Sequence, residues 1–115
     1  MPPEKESPVD MERAMSLFDD DMEFFKRMCR KFLEYIPEQI DKLSGAAMSG
    51  SSEMVELYAH GIRGAAGNLW AVKTCSIAGC IENRGHDKNI SDVPLLIDDL
   101  RSEIMRLEDF IRTLK

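Results

Sequence analysis

Residues 53–70, EMVELYAHGIRGAAGNLW, carry the pattern that decides the fold. On a helical wheel at about 100° per residue, the apolar residues of this stretch lie within about 60° of a common direction. They are Val55, Tyr58, Ile62, Ala65, Ala66 and Leu69. His60 lies about 180° from Leu69, on the polar face with Glu53 and Arg63. A helix with one apolar face buries that face in a core, so this stretch predicts a packed helix that presents His60 to solvent.

The sequence before this stretch predicts two helices. A short one begins after Asp10 and ends at the acidic run 19–21. Asp20 followed by Glu23 has the form of a capping box, which marks the start of a second helix. Its apolar residues recur at spacings close to three and four, up to about Leu43. They are Phe25, Met28, Phe32, Tyr35, Ile36, Ile40 and Leu43.

Two features interrupt the pattern of the second helix. Pro37 removes one backbone donor from its interior, which predicts a bend or a local break there. Residues 44–52 contain two glycines and four serines, a composition typical of a loop. Ser51 then caps a third helix, which we expect to run to about Leu69.

A fourth helix is predicted from about Ala71 to Asn83. The pattern breaks at residues 84–91, where Gly85 and Asn89 supply turn chemistry. The residues expected on the packed face of this fourth helix are Val72, Ile77 and Ile81.

The final segment is the most regular in the chain. Pro94 suits its first turn, because a missing N–H costs nothing there. Its apolar residues alternate by three and four along an amphipathic helix. They are Ile97, Leu100, Ile104, Leu107, Ile111 and Leu114. We therefore expect an all-α fold at residues 9–115: an antiparallel, up-down-up-down four-helix bundle with an additional short N-terminal helix, after a flexible arm at residues 1–8.

The composition fits one soluble globular domain, with 115 residues of which 43% are hydrophobic and 31% are charged. A formal charge of −6 argues against nucleic-acid binding. No apolar run is long enough for a membrane span and the start lacks a signal peptide, so we expect a cytoplasmic location. The odd cysteine count agrees with free, packed thiols. A metal site is disfavoured, because Cys75 and Cys80 point apart on a helix.

The helix around His60 is rich in glycine. Gly61, Gly64 and Gly67 each cost about 0.8–1 kcal/mol relative to alanine. The simplest explanation on an outer face is that another surface approaches the backbone closely, and packing by a neighbouring helix is an alternative that suits Gly61 best. Arg63 lies on the same face as His60, where its planar guanidinium can bind a phosphoryl group or form an ion pair with an acid.

Together these features suit phosphoryl transfer. A neutral imidazole offers a nitrogen lone pair to phosphorus, an arginine holds the phosphoryl oxygens, and open space admits a donor. The sequence has no Walker pattern and no other glycine-rich phosphate loop. We therefore expect a phosphocarrier that is not an enzyme in its own right, with the donor site and any metal supplied by a partner.

The segment AHGIRGAAGNLWAVKTCSIAGCIEN, residues 59–83, resembles the motif of histidine-containing phosphotransfer (HPt) domains. The resemblance implies that His60 is the phosphoacceptor, taking a phosphoryl group from a receiver-domain aspartyl phosphate and passing it to another receiver. It implies that Arg63 stabilises that group and that Glu82 accepts a bond from Nδ1 of the imidazole, leaving Nε2 free. The implied partners are receiver domains of response regulators or of a hybrid histidine kinase. Magnesium is expected on the receiver, and the chain is expected to be a monomer.

The same resemblance implies a receiver-docking surface around His60. Gly64 matches the small residue that makes room for a receiver loop. The residues assigned to this surface are Gly64, Gly67, Asn68, Phe18 and Leu57. Trp70 departs from the family, which usually has glycine at this helix junction, and we expect it to be a packed or rim aromatic.

Two other interpretations stay open. The chain can be a non-catalytic helical adaptor or dimerisation module that docks a response regulator, with the heptad-like final helix as interface. It can also be a regulator-docking domain whose histidine has lost its role. Phosphoryl labelling of the histidine separates the three interpretations.

Overall fold

The structure, a computed structural model, describes residues 7–114. Within these residues it contains helices and no strand. The helices are α1 (Met11–Leu17), α2 (Met22–Met48), α3 (Ser52–Gly67), α4 (Val72–His86) and α5 (Val93–Arg112). Short connections make successive long helices antiparallel. Each of these packs against the next, α5 closes the bundle against α2, and α1 packs on α2. The predicted four-helix bundle with a short N-terminal helix is confirmed.

The core lies between the four long helices. Its largest fully buried hydrophobic side chains include Phe25, Ile36, Leu43, Ile62, Ile81, Leu100 and Leu107. Most of the apolar stripe of α5 faces inward, so the residues that suggested a dimer interface pack inside the bundle. In α2, Cys29 is buried, whereas Tyr35, which the sequence assigned to the buried stripe, is 42% exposed. Tyr35 lies at the edge of the bundle, where its hydroxyl approaches Gly61 of α3.

The C-terminal end of α2 lies beyond the predicted one. The helix continues past Leu43 to Met48, so the loop predicted for residues 44–52 is wrong and only residues 49–51 connect α2 to α3. Ala46 is buried, which holds the last turn of α2 against the bundle despite its glycine and serine content.

The interior and the start of α2 also differ from expectation. Pro37 does not break the helix, which is continuous on both sides of it. The N-cap is Asp21, whose carboxylate accepts a hydrogen bond from the Phe24 backbone N–H at 3.0 Å. Asp20, the predicted cap, has a left-handed φ of 60°. It belongs to the turn that leaves α1, because a capping residue takes an extended backbone.

Four helices end in the same type of turn, in which one residue takes a left-handed backbone conformation. In this Schellman motif, the backbone N–H of the residue after the left-handed one donates to the carbonyl oxygen five positions before it. Ala71 N donates to Ala66 O, and Asn89 N donates to Arg84 O, both at 3.0 Å. The left-handed residues are Asp19, Gly50, Trp70 and Lys88, with φ values of 53°, 77°, 56° and 57°. After α4 it is therefore Lys88, and not Asn89, that reverses the chain.

Gly85 lies inside α4 and does not form the turn predicted for residues 84–91. The helix continues past Asn83 to His86, and Gly85 is buried within it. A Cβ at Gly85 would lie only 2.6 Å from the backbone nitrogen of Glu56 in α3. The glycine therefore lets the backbones of α3 and α4 approach closely, and this contact fixes α4 beside the helix that carries the candidate site.

The residues before α1 lie against the bundle. Pro8 and Val9 are buried, and Asp10 N donates to Trp70 O at 2.9 Å. Pro8 therefore packs on the fold rather than belonging to the predicted flexible arm, whose residues 1–6 lie outside the described residues. Within the described range, no helix combines the length and apolarity needed to cross a membrane.

The three cysteines differ in exposure. Cys29 is buried in α2, and burial raises the pKa of its thiol to about 12. Cys75 is half-buried and Cys80 is exposed, so the prediction of packed thiols is correct only for Cys29. On α4, Val72 was also expected to pack, but it is 39% exposed in the first turn, whereas Ile81 is buried.

Candidate functional site

His60 lies near the middle of α3, on the face turned away from the core. Its side chain is 63% exposed. Ala59 and Ile62 on the same helix are fully buried and hold this part of α3 in the bundle. The helical spacing that buries these neighbours turns the imidazole to solvent.

One carboxylate of α4 connects His60 and Arg63. Glu82 Oε2 lies 2.8 Å from His60 Nδ1, and Glu82 Oε1 accepts a hydrogen bond from Arg63 Nε at 2.5 Å. An ionised carboxylate can only accept, so Nδ1 carries the hydrogen in this pair. In the neutral imidazole, the lone pair is therefore on Nε2. Arg63 Nη2 lies 3.3 Å from Nδ1 and contacts the ring without a hydrogen bond, because a protonated Nδ1 has no lone pair to accept one.

Glu82 is held in its ionised form by these partners. Burial acts to raise the pKa of the carboxyl, whose side chain is 17% exposed. The hydrogen bonds from Arg63 and His60 outweigh burial and lower the pKa below its ordinary value of 4.5. Charge-assisted bonds to both oxygens fix the carboxylate, which in turn fixes the orientation of the imidazole. Of the two roles open to Arg63, the structure thus shows the ion pair with an acid, which is Glu82.

The three glycines of α3 have different surroundings. A Cβ at Gly64 would meet nothing within 4 Å, so the space one turn from the imidazole is open. At Gly61 a Cβ would lie 3.6 Å from the Tyr35 hydroxyl, which is the neighbouring-helix contact expected for that position. At Gly67 the nearest atom would be Cys75 Sγ at 3.8 Å, an ordinary contact distance.

Gly79 of α4 also borders the site, although the sequence did not single it out. A Cβ at Gly79 would lie 3.3 Å from Arg63 Cδ, which is tighter than an ordinary contact. Gly79 precedes Glu82 by one helical turn, so the Arg63 stem passes over the glycine on its way to the carboxylate. In the sequence, only its position one turn before Glu82 connects Gly79 with the site. Its contact with Arg63 depends on how α3 and α4 pack.

A second histidine lies on the same pair of helices. His86 Nδ1 is 3.2 Å from Glu56 Oε2, and the His86 side chain is 74% exposed. His86 is the last residue of α4 and does not lie in a break between helices, as the sequence had suggested. It repeats the imidazole–carboxylate contact of His60 at a different place, which makes it a matched control.

The predicted docking residues belong to different helices of the fold. A groove beside the imidazole is lined by Glu53, Glu56, Leu57, His60 and Glu82. Leu57 is 58% exposed at this groove, and Asn68 is exposed as the C-cap of α3. Phe18 is the C-cap of α1, and its ring centroid lies 5.4 Å from those of both Phe24 and Phe25 in α2.

Trp70 lies at the junction between α3 and α4 and is half-buried. The Arg13 guanidinium carbon lies 5.2 Å from the centroid of its ring. The left-handed φ of Trp70 is one that glycine adopts most easily, which agrees with the glycine that the family resemblance implies at this junction. Trp70 lines an apolar groove together with Gly67 and Cys75, so it is a rim aromatic at this junction.

Comparison with known proteins agrees with this arrangement. The Hpt domain family matches residues 27–110, which is more than half of the chain. The chain is similar to the crystal structure of histidine-containing phosphotransfer protein B (HptB) from Pseudomonas aeruginosa PAO1, with a TM-score of 0.83, 18% identity and 90% of each chain covered. At this identity the likeness shows a shared fold. No protein with a curated description matches the chain. The family match includes the whole of α3 and α4, and the protein belongs to the Hpt domain family as a histidine phosphotransfer intermediate of phosphorelay signalling.

Proposed function

We propose that His60 is the phosphoacceptor of this intermediate and that its Nε2 atom carries the phosphoryl group between receiver domains. The observation that carries the proposal is the contact of Glu82 with Nδ1, because it assigns the free lone pair to Nε2. The exposure of the imidazole supports it, since the donor phosphate belongs to another protein and must reach the nitrogen from solvent.

In the first step, the lone pair of His60 Nε2 attacks the phosphorus of an aspartyl phosphate on the donor receiver. The N–P bond forms, the P–O bond to the aspartyl group breaks, and the carboxylate leaves with the bonding electron pair. His60 keeps its hydrogen on Nδ1, so the ring gains positive charge, which the Glu82 carboxylate balances. In the second step, a carboxylate oxygen of the acceptor receiver attacks phosphorus, the N–P bond breaks and the neutral imidazole is restored.

Arg63 and Gly64 serve this transfer in different ways. The N–H groups of Arg63 that Glu82 does not use are free to bind the phosphoryl oxygens at the ring. Gly64 leaves open space for a receiver loop. The proposed docking surface continues over Leu57, Gly67 and Asn68, which are exposed. A part for Phe18 in docking stays a prediction.

In this proposal the chain is a phosphocarrier and not an enzyme, and the receiver supplies any magnesium that the chemistry requires. The carboxylate at the site already has both oxygens bonded to cationic or N–H donors, which leaves it poorly suited to bind a divalent cation. The partners are receiver domains of response regulators or of a hybrid histidine kinase. The monomeric state and the cytoplasmic location stay predictions.

Transfer of radioactive phosphate tests the proposal. A panel of receiver domains is phosphorylated with ³²P-acetyl phosphate, separated from the reagent and mixed with wild type, His60→Gln or His86→Gln. Wild type and His86→Gln should acquire label that is labile in acid and stable in base, as expected of phosphohistidine. His60→Gln should acquire none, because the nucleophile is absent.

Two results would contradict the proposal. Label that persists in His60→Gln would place the phosphoryl group elsewhere. Absence of label on wild type with every receiver, while the receivers still bind, would favour a docking domain whose histidine has lost its role.

A further inference from the structure

We infer that Gly79 is a positioning residue for phosphoryl transfer, because its missing side chain lets Arg63 lie across α4 and reach Glu82. The inference rests on the proposed function of His60 and extends it to a residue that touches neither the phosphoryl group nor the imidazole.

The contact geometry carries the inference. His60 and Arg63 are one turn apart on α3, and Gly79 and Glu82 are one turn apart on α4, so the two pairs face each other across the helix contact. Arg63 Nε reaches Glu82 Oε1 at 2.5 Å. A Cβ at Gly79 would lie 3.3 Å from Arg63 Cδ, so the aliphatic stem already fills the space that a side chain would take.

The surroundings of Gly79 differ from those of the other α4 glycine. At Gly85 a Cβ would meet the backbone of α3, which cannot move without separating the helices. At Gly79 it would meet a flexible side chain that is 43% exposed. Alanine at Gly79 should therefore displace the Arg63 side chain and leave the helices in place. Since alanine also favours a helix over glycine, the variant should still fold.

Displacement of Arg63 has a direct consequence for the site. A shift of a few tenths of an ångström at Arg63 Cδ would lengthen the short bond to Glu82 Oε1 and move the guanidinium from its place 3.3 Å from the imidazole. The phosphoryl oxygens would then lack a donor held at the correct position. Glu82 itself would keep its bond to His60, because that bond uses the other oxygen.

The first arm of the test is spectroscopic and does not depend on phosphoryl transfer. The Nε–H resonance of Arg63 is recorded in wild type, Gly79→Ala and Gly45→Ala. Gly45 is a matched control, because it too lies inside a helix and a Cβ there would meet nothing within 4 Å. Exchange of the Arg63 Nε hydrogen with water should quicken at least about threefold in Gly79→Ala and stay unchanged in Gly45→Ala. An unchanged exchange rate of the Arg63 Nε hydrogen in Gly79→Ala would overturn the inference.

The second arm measures phosphoryl acceptance in a double-mutant cycle. Gly79→Ala should slow acceptance from a phosphorylated receiver about 3- to 10-fold, and it should have less than about a twofold effect when Arg63 is already alanine. An equal loss in both backgrounds would overturn the inference, because Gly79 would then act without Arg63. If wild type accepts no phosphate at all, the proposed function fails, and the spectroscopic arm still decides whether Gly79 positions Arg63.

Discussion

Glu82 is the residue on which the geometry of the site depends. One carboxylate holds the imidazole through Oε2 and the guanidinium through Oε1. A glutamine in this place could accept one of the two bonds through its amide oxygen, but its NH₂ group could not accept the other. The orientation of His60 and the position of Arg63 are therefore coupled through a single side chain.

The lowered pKa of Glu82 predicts a stability that depends on pH. A carboxyl whose pKa is lower in the folded than in the unfolded protein stabilises the fold above its ordinary pKa of 4.5, and this contribution is lost as pH falls through the folded pKa. The free energy of unfolding of wild type should exceed that of Glu82→Gln at about pH 7, and the difference should shrink towards about pH 3. Urea denaturation of both proteins at the two pH values measures this. An equal difference in the free energy of unfolding at the two pH values would contradict the hydrogen bonds assigned to Glu82.

The residues of the site differ in how far the sequence could predict them. The outward direction of His60 and the nearness of Arg63 follow from spacing on one helix. Glu82 lies 22 positions from His60, beyond a turn of unknown geometry, and only the family resemblance pointed to it. Gly79 could not be predicted, because its contact with Arg63 depends on the distance between two helices.

The sequence predicted the number and order of the helices better than their ends. Hydrophobic periodicity marks the interior of a helix, whereas its end depends on one residue that reverses the chain. At three of the four Schellman turns that residue is Asp19, Trp70 or Lys88, none of which is a glycine. Gly85, which the sequence pattern places in a turn, serves helix packing instead.

The turn after α4 offers a test of this account of helix ends. Lys88 is exposed and holds a left-handed φ of 57°, which is unfavourable for a residue with a Cβ. Lys88→Gly should therefore raise the free energy of unfolding by about 1 kcal/mol or less. Thermal or urea denaturation measures the change. A clear loss of stability would show that the turn does not take the left-handed form.

At Gly85 we expect the opposite of the effect at Lys88: substitution should destabilise the fold, because α3 and α4 approach closely there. A Cβ there would lie less than 3 Å from backbone atoms of α3, so Gly85→Ala should lower the free energy of unfolding by about 1–3 kcal/mol. Gly45→Ala, which adds a methyl group in open space, should raise it by up to about 1 kcal/mol. Urea denaturation of the two variants side by side measures both effects. Equal stabilities would contradict the close approach of the two helices.

The core of the bundle uses most of the apolar face of α5. Its inward residues are Ile97, Leu100, Leu107 and Ile111, all buried. A dimer formed through this stripe would require the bundle to open, which weakens the adaptor interpretation. We expect sedimentation equilibrium at micromolar concentration to give a monomer of 13.1 kDa. A mass that rises with concentration towards a dimer would contradict this prediction.

Which nitrogen of His60 carries the phosphoryl group can be measured directly, and the bond of Glu82 to Nδ1 predicts that it is Nε2. Protein with ¹⁵N-labelled histidine is phosphorylated by a receiver domain, and the coupling between ³¹P and the imidazole nitrogens is recorded. Coupling to His60 Nε2 is the result that the geometry predicts. Coupling to Nδ1, or to either nitrogen of His86, would contradict it.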